Sequence, residues 1–239
     1  MILWQAEFSL IAVAAGLFLY DSALLLYCNE GVLMPRGCNG WVVRFGSDKI
    51  QLMGKEVYIP NPFLIHRPMF RLAWNLEGAA ADAQWQPARD SFRVLVPLVW
   101  CMAIALFVLL PLGLFSRLGE PMLMLAMALL YGSLLASLLW TWFNRRHLEL
   151  SARQLAALSF ECMLCSPFAL NLIRHLSVRT PVQQDLEHAA RRLQSPVEWV
   201  VTRAALIARL DDEIEGEQDG SARLERLQQH RCALAAEDA

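Results

Sequence analysis

Two carboxylates, Glu7 and Asp21, stand inside the first long apolar run of the chain, residues 2–27. A charge in such a segment is costly and tends to face a bundle interior, water or a partner. Fourteen positions is nearly four helical turns, so both project from nearly one face. Such a stripe would suit a proton or cation path. Because both lie near the ends of the run, the competing reading gives them interfacial or inter-helix hydrogen bonds.

Cys162-Met163-Leu164-Cys165 is the next candidate. A structural zinc site needs two further ligands at suitable spacing, and His147 and His175 complete no such pattern. A thioredoxin-like role needs a βαβ setting that the flanking sequence lacks. Cys162 and Cys165 therefore read as small packing residues near a helix end, with metal binding the weaker alternative, and no cofactor is expected. A third group lies in the proline-rich segment 60–74, where Phe63, His66, Arg67, Phe70, Arg71 and Trp74 alternate aromatic and basic character. Its prolines exclude a sheet interior. It reads either as an interfacial or partner contact or as a connector packing its aromatics on a core. No phosphate loop, nucleophile elbow or metalloprotease helix is present, so the chain is not expected to be an enzyme. A lipid enzyme using His66, Arg67 and Asp21 is the weakest alternative.

The elements that would position these residues are set by hydropathy. The 239 residues are 56% hydrophobic, above the roughly 45–50% usual for soluble domains, and the excess sits in segments 2–27, 94–115 and 121–143. Each reaches the roughly 20 residues needed to cross hydrocarbon. Trp4, Trp100, Trp140 and Trp142 lie in or near the segment ends, as an aromatic belt would. Arg36, Arg44, Lys49, Lys55, Arg67, Arg71, Arg89 and Arg93 lie between the first two segments, and Arg145 and Arg146 follow the third. The positive-inside rule then puts the N-terminus outside and the 28–92 loop and the C-terminus in the cytoplasm of a bacterial-type inner membrane. The first segment has no basic n-region and is too long for a signal peptide, so it reads as a retained anchor. Cys28 and Cys38 would be free thiols there. A net charge of −2 without a basic stripe gives no reason for nucleic-acid binding.

The expected fold is a mainly α membrane protein: a single N-terminal span (1–27), a cytoplasmic loop with short strands (28–92), a transmembrane hairpin (93–143), a cytoplasmic helical bundle (144–215) and an acidic linker with a last helix (216–239). Strands are expected at 31–34, 41–45, 50–52 and 57–59 between Gly, Pro and Asp turns. Ser166-Pro167, Thr180-Pro181 and Ser195-Pro196 each place a capping hydroxyl before a proline, with Gln183 and Glu198 completing two capping boxes. They predict helices at 148–165, 167–178, 181–194 and 196–215, the last burying Val197, Val200, Val201, Ala204, Ile207 and Leu210. In the third segment, Gly132, Ser133, Ala136 and Ser137 predict close helix packing, and Pro111 predicts a bend in the second.

The order of an outside N-terminus, a large loop after the first span, a tight outer hairpin and a cytoplasmic C-terminus resembles that of proton-channel subunits of bacterial energy-transducing motors. The resemblance is one of topology: those subunits have mainly helical loops, whereas this loop reads as strands, so no residue is carried across. The function expected is a non-catalytic subunit or scaffold of an oligomeric membrane assembly, contacting lipids and either its own copies or another protein. The alternative is a homo-oligomeric channel or transporter lined by the first span.

Overall fold

The computed structural model describes residues 2–37, 40–76, 85–116, 119–182, 184–217 and 220–236, with the backbone alone for 2–7. Cys38, Gln183 and the Glu7 side chain lie outside the described residues. The structure is mostly helical with small β-sheets, and it divides into two units, each built from several separate stretches of chain.

The first unit comprises residues 1–24, 59–68 and 88–181. It holds α1 (Ile2–Ser22), α2 (Leu95–Ile104), a π turn (Ala105–Leu109), α3 (Leu110–Phe115), α4 (Gly119–Asn144), α5 (Ala152–Leu164), α6 (Ser166–Ala169) and α7 (Leu172–Arg179). The run Leu95–Phe115 and α4 are long and apolar enough to cross a membrane, and only 28% of the most apolar stretch of each is buried. The described part of α1, Phe8–Ser22, is a shorter apolar helix. Where the sequence predicts a run to Tyr27, the helix stops at Ser22 and Leu24–Leu26 becomes a strand. The π turn lies just before Pro111, whose missing N–H forces the helical register to adjust there.

Within the hairpin, α4 turns Ala126, Leu130, Ser133, Leu134, Ser137 and Thr141 inward. Ser133, Ser137 and Thr141 donate to the carbonyls of Leu129, Ser133 and Ser137, four residues back, at 2.5, 2.8 and 2.8 Å. Their hydroxyls thus stay on their own helix and they act as small residues. Gly132 and Ala136 face outward, and a Cβ on Gly132 would meet nothing within 4 Å. The packing seam therefore runs one position along from the small-residue pair that the sequence suggests. At the other end a Cβ on Gly113 would come within 3.1 Å of the Leu123 backbone nitrogen, so glycine lets α3 and α4 close together.

The second unit comprises residues 25–58, 69–87 and 182–239. Its strands are β1 (Leu24–Leu26), β2 (Glu30–Arg36), β3 (Gly40–Arg44), β4 (Ser47–Leu52), β5 (Lys55–Tyr58) and β6 (Phe70–Ala73), in sheets of order β1-β5-β4 and β3-β2-β6. β2 pairs antiparallel with both neighbours, Leu33 lying opposite Val43 on one side and Phe70 on the other. Its helices are α8 (Leu186–Leu193), α9 (Pro196–Gly216) and α10 (Ala222–Ala236). Val32, Leu33, Phe70, Leu72, Leu186, Leu206 and Leu210 are buried here.

The caps explain where the expected helices shift. Ser195 caps α9 by accepting from the Glu198 N–H at 3.3 Å. Thr180 instead closes α7, its hydroxyl donating to the Leu176 carbonyl at 3.0 Å, and α8 starts five residues later behind Asp185. The helices expected as one bundle are divided between the units at Pro181. On α9, Val197, Val200, Val201 and Ala204 are exposed whereas Thr202, Arg203, Leu206, Arg209 and Leu210 are buried. The expected buried stripe is corrected by a buried charge: Arg209 turns that face inward.

Candidate functional site

In the first unit a buried polar cluster joins the end of α1 to α7. Asn171, Arg174 and His175 lie at i, i+3 and i+4, the spacing that puts them on one face of a helical turn. That face meets Asp21 and Ser22 at the last turn of α1. His175 Nε2 is 2.8 Å from Asp21 Oδ2, which also accepts from Asn171 Nδ2 at 3.0 Å. Arg174 Nη1 donates to Ser22 Oγ at 3.2 Å and to Asn171 Oδ1 at 2.9 Å, and Arg174 Nη2 donates to the Asn61 carbonyl at 2.6 Å. Asn171, Ser22 and Arg174 are 0%, 2% and 3% exposed. The Arg174 guanidinium holds Ser22 and Asn171, and Asn171 in turn donates to the Asp21 carboxylate, so each of these buried side chains has a partner within the cluster.

Cys162 and Cys165 border this cluster. Cys162 is buried and Cys165 half-buried, which suits packing. No group of three His, Cys, Asp or Glu side chains among the described residues is arranged to hold a metal ion.

The proline-rich segment is split between the units. Phe63 is 80% exposed in the first unit. His66 lies with its ring 6.0 Å from Trp100, and its Nδ1 is buried without a hydrogen-bond partner among the described residues. Burial, with Arg67 and Arg174 adding to it, holds the His66 imidazole below its ordinary range. Phe70 and Trp74 are core residues of the second unit, at 1% and 4% exposure. Arg71 pairs with Glu30. For Phe70 and Trp74 the connector reading fits better than the interfacial one.

No family model, curated protein or solved structure matches this chain.

The second unit has one strongly buried charge cluster that sequence patterning does not reveal. Arg209 grips Glu56 with two bonds of 2.8 and 2.6 Å, donates to the carbonyls of Cys28 and Gly46 and to Asp48, and lies 4.6 Å over the Phe45 ring. Both Arg209 and Glu56 side chains are 8% exposed. Gly46 is required, since a Cβ there would sit 2.3 Å from that of Glu56. Nearby, a cavity of about 560 Å³ is lined by Tyr27, Cys28, Trp74, Glu213, Arg223 and Arg226 among others. Glu213 accepts from the Cys28 thiol at 2.9 Å and pairs with Arg223, which also reaches Glu217. Burial and Glu213 push the Cys28 thiol up to about 11. Cys28 is thus held as a thiol, and Arg223 is paired with two carboxylates.

Proposed function

We propose that this chain is a non-catalytic subunit of an oligomeric membrane assembly, held in a bacterial-type inner membrane by α1 and the α2–α4 hairpin. The N-terminus is outside, and the second unit contacts a partner from the cytoplasmic side. The membrane part is supported by the bare apolar faces of the two long helices. A helix of that composition in a soluble core would be mostly buried, whereas these are 28% buried in their most apolar stretches. Neither helix begins near the N-terminus, which sets them apart from a signal sequence.

The observation that carries the subunit reading is the outward face of α9. Val197, Val200 and Val201 are 75%, 53% and 61% exposed on a unit with no helix both long and apolar enough to cross a membrane among its described residues. Apolar residues at i, i+3 and i+4 form one patch, the pattern by which a helix face engages another protein. The test is native mass spectrometry of the complex extracted gently from its membrane, comparing wild type with a Val197→Lys/Val201→Lys variant. The wild type is expected to run as more than one chain and the variant to lose its companion while keeping its helical signal. A monomeric wild type, or an unaltered variant complex, overturns the reading.

A pore lined by α1 is the second reading, favoured by the placement of Asp21 beside His175 in an apolar segment. One protomer's few apolar helices enclose little space, so this version requires a closed ring of identical chains, which the same mass measurement distinguishes from a complex with a second polypeptide.

A further inference from the structure

The hairpin is a ruler for depth. Tyr131 is the midpoint of α4, thirteen residues from Asn144 at the end that leads into Arg145 and Arg146. At 1.5 Å per residue that is about 20 Å of helix. Ser166, the first residue of α6, donates from Oγ to the Tyr131 hydroxyl at 3.3 Å. The thirteen residues of α5 cover about the same length, so α5 runs back alongside α4 from the polar end to its middle.

A second ruler agrees. Phe107 lies twelve residues, about 18 Å, into the run that begins at Leu95. Its ring centroid is 6.0 Å from that of Phe18, whose carbonyl accepts from Asn171 Nδ2 at 3.2 Å. The break between α6 and α7 is therefore also near mid-hairpin. A hydrocarbon core is about 30 Å thick, and an ordinary tilt of about 20° shortens these depths by only a few per cent.

We propose that α5, α6 and the start of α7 form a re-entrant element that enters the hydrocarbon layer beside the hairpin and turns back within it, presenting Phe160, Met163 and Leu164 to lipid acyl chains. This rests on the membrane placement of the hairpin proposed above. The sequence of α5 is graded accordingly. Its shallow end carries the Ser151–Gln154 capping box and Arg153, while its deep end exposes Phe160, Met163 and Leu164 by 66%, 41% and 72%. Leu155, Leu158 and Cys162 on the other face are buried. On α4 of the hairpin, Leu135, Leu139 and Phe143 are likewise exposed, by 49%, 58% and 80%.

Irregular backbone survives at such depth only where protein satisfies it, and four N–H groups of this turn are satisfied within it. The N–H groups of Cys165, Phe168, Leu170 and Asn171 donate to the carbonyls of Glu161, Cys165, Pro167 and Phe168 at 2.9 to 3.3 Å. Pro167 has no N–H, and Ala169, Leu170, Asn171 and Leu172 are wholly buried. The two charges near the tip, Glu161 and Arg179, pair at 3.1 Å, with side chains 48% and 29% exposed. The Asp21, Asn171, Arg174 and His175 cluster is then the polar interior that holds the turned element against α1.

The test uses the unmodified chain in phosphatidylcholine nanodiscs doped with a lipid carrying a carbene precursor on its acyl chain, followed by irradiation and peptide mapping. Adducts on residues 156–164 at a yield of the same order as on residues 135–143 are the expected result. Adducts on 135–143 with none on 156–164 overturn the re-entrant element and leave the anchoring hairpin standing. Adducts on neither overturn both.

Discussion

Arg209 shows most clearly what a single residue decides in this molecule. Its side chain is buried with that of Glu56, and together they orient α9, which is why the valines of that helix face outward. Removing one member of such a pair strands the other charge away from water. Arg209→Ala is expected to cost about 3–5 kcal/mol of unfolding free energy in the second unit. The double replacement Arg209→Met/Glu56→Leu should recover most of that loss, because two apolar groups need no counter-charge. Urea unfolding followed by circular dichroism measures both, and a single variant within about 1 kcal/mol of wild type would show that water already reaches the pair. The sequence gives little warning of this residue. Apolar periodicity over 197–210 points to the opposite face, and the contacts Cys28, Gly46, Asp48 and Glu56 are each more than 150 positions away. Asp21 is different: a carboxylate in an apolar run is conspicuous by composition alone, although its partners Asn171 and His175 are not.

For whole elements, the hydropathy pattern and the turn chemistry read well. The strands near 31–34, 41–45, 50–52 and 57–59 form within a residue or a few of their expected limits, because Gly, Pro and Asp turns punctuate them. The added strands β1 and β6 were hidden, one inside an apolar run and one inside a proline-rich segment, since a strand's neighbours rather than its own residues decide whether it forms. The seam of α4 was legible to within one residue. Serines whose hydroxyls bond back along their own helix are as small as alanines to a neighbouring helix, so Ser133 and Ser137 take the inward positions and Gly132 and Ala136 do not. Ser137→Leu should therefore overpack the hairpin and destabilise it by about 1–3 kcal/mol. Gly132→Leu, on the open side, should stay within about 0.5 kcal/mol. Thermal denaturation in a mild detergent compares them directly, and an equal or reversed ranking would place the seam on Gly132.

At the scale of the whole molecule, the path of the chain matters more than any single domain boundary drawn along it. The sequence places a boundary after the hairpin, at 143, but the fold places α5–α7 with the hairpin and α8–α10 with the strands. Both units are discontinuous, each assembled from three stretches of chain. A cut in the sequence is therefore not a cut in the structure. Removing residues 182–239 leaves every stretch of the first unit in place but takes from the second unit α8, α9 and α10, the helices that cover its sheet. Asp185 is the hinge of that dependence. One carboxylate oxygen caps α8 through the Glu187 N–H at 2.8 Å, the other accepts from the Asn75 N–H at 2.9 Å, and the residue bridges in parallel to Ala73. Leu186 follows it into the core, beside the place where a Gly31 side chain would otherwise stand. A small pair of three-stranded sheets without a covering helix buries too little apolar surface to persist. In a chain ending at Pro181, amide hydrogen exchange across β2, β3 and β6 should rise to nearly that of an unstructured peptide, while α4 and α5 keep their protection. Sustained protection at Leu33 and Val43 would mean that the sheets fold without α8, α9 and α10.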